Sequence, residues 1–182
     1  MIAIYKDTNT LNEESDNRAI NELEKLAIEY PDEISIDKTS VMDAELKKNA
    51  LKNAKRLHKS SGYIESYEVL VLDVSRLGYA VLGSEKDDKE LTDILSIIFG
   101  EKPKSSYKQN DLRDALHIHT TIRHGGRYFI TYDKKLLRKS KEIEGRFNSI
   151  IICNPEKCLE LVLVRIKVLK DAGHWQNNKS ES

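Results

Sequence analysis

Short apolar runs alternate along the chain with longer stretches of helical periodicity. The first run, Ile2 to Tyr5, gives way at Asp7 to the polar residues Thr8 and Asn9. Leu11, Ile20, Leu23, Leu26, Ala27 and Tyr30 then recur at the spacing of one helix face. They predict an amphipathic helix from about Asp16 to Tyr30, stopped before Pro31. Glu33 to Ile36 is a short strand candidate, and Asp37 to Ser40 offers several N-caps for a long helix running to about Lys59. Val69 to Leu72 and Tyr79 to Leu82, separated by polar residues and Gly78, predict a hairpin or two short strands. Leu91, Ile94, Leu95, Ile98 and Phe99 mark a helix ended by Gly100, followed by a loop that contains Pro103.

The stretch from Asn110 to Leu137 predicts a helix, a tight turn, a strand and the start of another helix. Leu112, Ala115, Leu116, Ile118 and Ile122 form an apolar arc, with Asp111 and Asp114 on one side at its edge. Gly125 and Gly126 end the helix, Tyr128 to Thr131 make a strand, and Asp133 falls just past it. Ser149 to Cys153 is a further strand. Asn154 as N-cap and Pro155 as first helical residue open a last helix through Leu159, Val162, Leu163, Ile166 and Leu169. This alternation predicts an α/β domain with a mainly parallel sheet and helices on both faces. The expected organisation is one domain over residues 1–172 and a polar tail over 173–182, where His174 and Trp175 suit docking of the tail.

Composition narrows the function classes only a little. The 30 basic and 30 acidic residues balance, which argues against a strongly basic nucleic-acid coat but leaves local patches open. Cys153 and Cys158 are too few for a disulfide framework and match no zinc spacing, so both are expected as reduced packing residues. With no apolar stretch long enough to span a bilayer and no leader-like start, the expectation is a soluble cytoplasmic protein.

Asp7 and Asp133 each sit where an apolar strand ends. If those strands share one parallel sheet, the two acids become neighbours in the region where α/β proteins gather ligands. Asp73 ends a run in the same way but has no second acid near it. Ser40 followed three residues later by Asp43 is capping-box-like, whereas Glu45 lacks that duty; a helical wheel nonetheless puts Asp43 nearer the apolar side, so both remain candidates. Carboxylates accompanied by hydroxyl and amide side chains suit a hard cation, Mg²⁺ or Mn²⁺, and hence phosphoryl chemistry. Lys48, Lys52, Lys55 and Lys59 form a stripe that reads more readily as a solvated helix face. Lys134, Lys135, Arg138, Lys139 and Lys141 follow Asp133 directly and are the better candidates for holding phosphates. His117 lies near the acids, and His119, inside the apolar arc, is expected to be a packed histidine with a hydrogen-bonded ring.

Taken in order, these motifs resemble the PIN-domain family of metal-dependent ribonucleases, which includes toxins of toxin–antitoxin pairs. The residues that carry the resemblance are Asp7-Thr8-Asn9 after the first strand, Ala44-Glu45-Leu46, and the run Asp114-Ala115-Leu116-His117-Ile118 with Thr120. Thr131-Tyr132-Asp133 and Asn154-Pro155-Glu156 complete it. His119 and Thr121 replace small residues of the family pattern, and residues 62–83 differ from its helical insert. The resemblance implies a three-layer α/β/α sandwich and an endoribonuclease with Asp7, Glu45, Asp114 and Asp133 as catalytic and metal-binding acids. Asn9 and Thr131 would have secondary roles. Asp111, outside the family's core pattern, would orient a metal-bound water or act at the helix N-terminus, and the basic residues Lys134, Lys135 and Arg138 after Asp133 would contact RNA. It favours Glu45 over Asp43, and it leaves an antitoxin partner and a homodimer as open expectations. The alternative is a PIN-like binding module for nucleic acid or protein with little nuclease activity. A phosphatase using an aspartyl-phosphate is disfavoured by Asn9, which stands where a second Asp is needed.

Overall fold

Five strands form one sheet in the order β3-β2-β1-β6-β7, every neighbouring pair parallel. The computed structural model describes residues 1–11, 18–48, 50–71, 75 and 80–173. The expected helix start near Asp16, the acid Asp73 with Leu72, Gly78 and Tyr79, and the tail with His174 and Trp175 lie outside them. In chain order the elements are β1 (Ile2–Lys6), a 3-10 turn (Thr8–Leu11), α1 (Arg18–Glu29), β2 (Ile34–Thr39), α2 (Ser40–Lys47), α3 (Ala54–Ser60) and β3 (Ile64–Ser66). There follow β4 (Glu68–Val69), β5 (Ala80–Val81), α4 (Glu85–Phe99), a second 3-10 turn (Lys104–Ser106) and α5 (Gln109–Arg123). The chain continues through β6 (Tyr128–Ile130), α6 (Lys134–Phe147), β7 (Ile151–Cys153) and α7 (Pro155–Asp171). None of these helices is long and apolar enough to cross a membrane.

Parallel strands need helical crossovers, and those helices cover the sheet on both sides. On one face Ala3, Tyr5, Phe129 and Ile152 pack against Leu91, Ile94 and Leu95 of α4, Leu116 and Ile118 of α5, and Ile143 of α6. On the other, Ile2, Ile4, Ile36 and Ile130 meet Leu23 of α1 with Cys158, Val162 and Ile166 of α7. All five residues of β1 are buried. The apolar first four follow from a strand covered on both faces; Lys6 does not. Its ammonium is matched by Glu24 and the Tyr63 hydroxyl, each at 2.7 Å, and burial lowers its pKa to about 8 against the pull of Glu24.

Several local expectations need correction. The second strand runs on to Thr39 instead of ending at Ile36, because β1 pairs with it as far as Asp37 and β3 pairs with Asp37, Lys38 and Thr39. The long helix expected up to Lys59 is two helices, α2 and α3, separated by turns. Lys48, Lys52, Lys55 and Lys59 therefore do not line one continuous helix. Thr39, not Ser40, is the N-cap of α2, accepting from the Met42 amide, so Asp43 forms no capping box. Asp43 is instead buried between Lys38, at 2.8 Å, and Lys47. Burial alone would raise its pKa, but those two lysines hold its carboxyl below the usual range. Of the two expectations for the runs at Val69 and Leu82, two short strands hold and the hairpin does not: β4 pairs parallel with β5. The last strand and helix match expectation, with Asn154 accepting from the Lys157 amide and Pro155 opening α7.

The two glycines after α5 have different duties. Gly125 takes the left-handed conformation, φ 71°, that closes the helix. Gly126 lets the turn pass close to the sheet: a Cβ there would lie 2.6 Å from both Thr121 Cγ2 and the Tyr5 ring. Gly126→Ala is expected to destabilise the fold by about 1–3 kcal/mol through this overpacking. Urea unfolding should show a lower midpoint with unchanged slope; an unshifted midpoint would mean that Tyr5 yields without cost.

Candidate functional site

The parallel ladder between β1 and β6 carries on one residue beyond the strands, where the Asp7 amide donates to the Ile130 carbonyl at 3.0 Å. Asp7 and Thr131 are thereby brought side by side, although 124 residues separate them. Thr131 Oγ1 donates to Asp7 Oδ2 at 2.5 Å and accepts from the Asp133 amide at 2.9 Å. Asn9 Nδ2 donates to the same Asp7 oxygen at 2.7 Å and to Thr131 Oγ1 at 3.1 Å, while Asn9 Oδ1 accepts from the Tyr132 amide at 3.1 Å. Asp7, Asn9, Thr131 and Asp133 thus form one hydrogen-bonded unit at the carboxyl ends of adjacent strands.

Asp133 is also the N-cap of α6, its Oδ1 accepting from the amides of Lys135 at 2.6 Å and Leu136 at 3.2 Å. A carboxylate at that position satisfies amides that the helix leaves unpaired and sits favourably at the positive end of its dipole. This capping duty was not anticipated, although an acid followed by a helical pattern is its sequence signature.

Glu45 and Asp114 approach from α2 and α5. Glu45 Oε2 accepts from Thr8 Oγ1 at 2.5 Å and lies 3.6 Å from His117 Nε2, beyond hydrogen-bond reach. The other ring nitrogen of His117, Nδ1, lies 2.6 Å from Thr39 Oγ1, so the capping threonine of α2 also positions the imidazole. His117 is buried. Burial lowers its pKa, but Glu45, Asp7 and Asp114 outweigh that and raise it above 6.5. Glu45 responds in kind: burial would raise its pKa, yet His117 and Thr8 hold it low. Asp7 is raised by burial, with Glu45 adding to it and His117 and Thr131 opposing. Asp114 is likewise raised by burial and by the charge of Asp7, with Lys135 opposing. Mutual influence of this kind places Asp7, Glu45, Asp114 and His117 in a single electrostatic cluster.

Lys135 supplies the cation facing it. Its Nζ donates to Asp114 Oδ2 at 3.1 Å and stands 4.0 Å from the centre of the Phe99 ring. Of the other basic residues after Asp133, Lys139 pairs with Glu142 and Lys141 with Glu144 along α6, while Lys134 and Arg138 are exposed. Asp111 stands apart, accepting from the Lys108 amide at 3.1 Å with Lys102 at 3.7 Å; it caps α5. The four acids do not offer three ligand atoms within 4.8 Å of one another. Cys153 and Cys158 are free and buried, as expected.

Fold and site together define an α/β protein with a cluster of carboxylates at the switch point of a parallel sheet. Comparison with protein-family models, with curated proteins and with solved structures gave no match.

The pairing of His117 with Glu45 has a measurable pH dependence. A histidine whose folded pKa is raised adds stability that is full below its unfolded value, near 6.5, and fades as pH climbs through the higher folded value. Glu45→Gln is therefore expected to cost more stability at pH 6 than at pH 9 and to lower the His117 titration midpoint followed by NMR. An unchanged midpoint would show that Glu45 does not set the charge of His117.

Proposed function

We propose that this protein is a metal-dependent endoribonuclease of the PIN-domain kind, with Asp7, Glu45, Asp114 and Asp133 as its acids. The observation that carries the reading is the joining of Asp7 to Asp133 through Thr131 at the β1–β6 switch point, with Glu45 and Asp114 in the same electrostatic cluster. In open parallel sheets the crevice at such a point is where ligands bind.

The donor chemistry suits Mg²⁺ or Mn²⁺, which bind few protein oxygens and keep several waters, in keeping with acids that do not bring three ligand atoms together. Asp7 and Asp114 have pKa values raised by burial and by a neighbouring acid, which a hard cation relieves. The chemistry such an ion supplies when bound is Lewis-acid activation of water and neutralisation of charge on the scissile phosphate. The residues of the chain do the rest. Thr131 and Asn9 hold Oδ2 of Asp7 and so fix the orientation of its carboxylate. Lys135, held near Asp114, is placed to exchange that carboxylate for a phosphate oxygen of RNA, and Lys134 and Arg138 extend the basic edge as non-specific phosphate contacts. His117, whose pKa is raised by Glu45, belongs to the same cluster and offsets its negative charge when protonated.

A second reading, a PIN-like binding module with little nuclease activity, is favoured by one specific observation. Each acid already has a partner: Lys135 for Asp114, the α6 amides for Asp133, Thr8 for Glu45, and Thr131 with Asn9 for Asp7.

The two readings part on activity. The parent protein is expected to cleave single-stranded RNA with Mn²⁺ or Mg²⁺ and to stop when a chelator is added. Asp7→Asn, Asp114→Asn and Asp133→Asn should each lower the rate about a hundredfold or more. Asn is itself a good N-cap, so Asp133→Asn removes charge while keeping α6 closed. RNA binding without metal-dependent cleavage by the parent, or full activity in folded Asp133→Asn, selects the binding-module reading.

A further inference from the structure

We infer that Asp87, Glu90 and His119 form a second metal site, separate from the acids at the carboxyl ends of β1 and β6, which takes a divalent transition ion of the zinc type and ties α4 to α5. Asp87 and Glu90 stand one turn apart on α4, and His119 comes from the facing side of α5. One ligand atom from each lies within 4.8 Å of the other two, the only such group among the described residues.

His119 makes the case more than the acids do. It is fully buried, and neither ring nitrogen has a hydrogen-bond partner, contrary to the bonded ring expected for a packed histidine. Buried polar groups in folded proteins are nearly always paired, so an imidazole orphaned at both nitrogens calls for an explanation. Its Nε2 lies 3.6 Å from Asp87 Oδ1 and 3.7 Å from Glu90 Oε2. Those separations are too long for hydrogen bonds. They suit ligands of one small ion: with metal–ligand bonds of about 2.0–2.2 Å and tetrahedral to trigonal angles, ligand atoms stand roughly 3.3–3.8 Å apart.

The remaining oxygens are already engaged in ways that aim the ligand atoms. Asp87 Oδ2 accepts from the Ser84 amide and hydroxyl, each at 2.7 Å, in the capping box of α4, which leaves Oδ1 to the ion. Glu90 Oε1 faces Lys86 at 3.7 Å, leaving Oε2. Arg123 Nε also stands 3.6 Å from Asp87 Oδ1 and competes for that oxygen, but it leaves both imidazole nitrogens unpaired. Burial lowers the pKa of His119, against the pull of Asp87 and Glu90, which favours the neutral ring that a metal requires. The Asp87 and Glu90 side chains keep 14% and 22% of their surface exposed, so an ion can enter from solvent and keep water as a fourth ligand. A nitrogen donor with two carboxylates selects zinc and its neighbours over magnesium. His119 lies on the same helix as Asp114, so an ion here would steady the element that presents that acid.

The test is calorimetric titration of the metal-stripped full chain with Zn²⁺ alone, with thermal unfolding measured in parallel. The variants are Glu90→Gln, Asp87→Asn and, as a control for the acids at the switch point, Asp114→Asn. Glu90→Gln is nearly isosteric and partly exposed, so it keeps the test open if a His119 variant fails to fold. The parent and Asp114→Asn should both take up Zn²⁺ with a rise in melting temperature, and Glu90→Gln and Asp87→Asn should lose affinity about tenfold or more and lose the thermal shift. Equal Zn²⁺ affinity and thermal shift in parent and Glu90→Gln would overturn the site, as would absence of Zn²⁺ uptake by the parent or its loss in Asp114→Asn alone. None of these readouts depends on RNA cleavage, so the site and the nuclease reading can fail separately.

Discussion

The pairing of β1 with β6 is the constraint on which the rest depends. From β1 the chain crosses to β2 on one side of the sheet and returns, well over a hundred residues later, to β6 on the other. The strand order reverses at that junction, so no crossover from β1 to β6 closes the space above their carboxyl ends. The two polar segments that follow the strands therefore face each other. Their side chains interlock, with Thr131 bonded both to the carboxylate beyond one strand and to the amide beyond the other. A register slip of one residue would turn the side chains of β6 to the opposite face and dissolve this arrangement, which ties the integrity of the site to that of the core.

Burial of so many acids in one region requires compensation, and the protein supplies it locally. Glu45, Asp7 and Asp114 raise the pKa of His117 on α5, and Lys135 approaches Asp114 from the first turn of α6. Thr8, Thr131 and Asn9 add neutral donors. The result is a site whose acids are held in place without a fixed external partner, at the cost of raised pKa values for Asp7 and Asp114. Elsewhere the molecule uses different devices for the same problem: Lys6 is matched by Glu24 and Tyr63, and Asp43 by two lysines. His119 differs: neither nitrogen of its buried imidazole has a hydrogen-bond partner.

What the sequence determined by itself was the set of elements whose signals are local. Continuous apolar runs marked β1, β6 and β7, because a parallel strand buried on both faces reads as an apolar run; Asn154-Pro155 marked the start of α7; and acids just past two of those runs marked the candidate site. Where two local signals competed, the tertiary structure decided. Pairing with β1 and β3 carried β2 through Asp37 and Lys38 despite their charge, moved the cap of α2 to Thr39 and freed Asp43 to pair with Lys38. Periodicity over residues 40–59 suggested one helix because it measures spacing and not backbone continuity; the chain turns between α2 and α3. The contacts of Lys135 with Asp114, of Thr8 with Glu45, and of His119 with Asp87 and Glu90 join elements distant in the chain. Only packing brings such groups within reach, because charge and hydrogen-bond partners are set by distance in space, for which sequence separation is no guide.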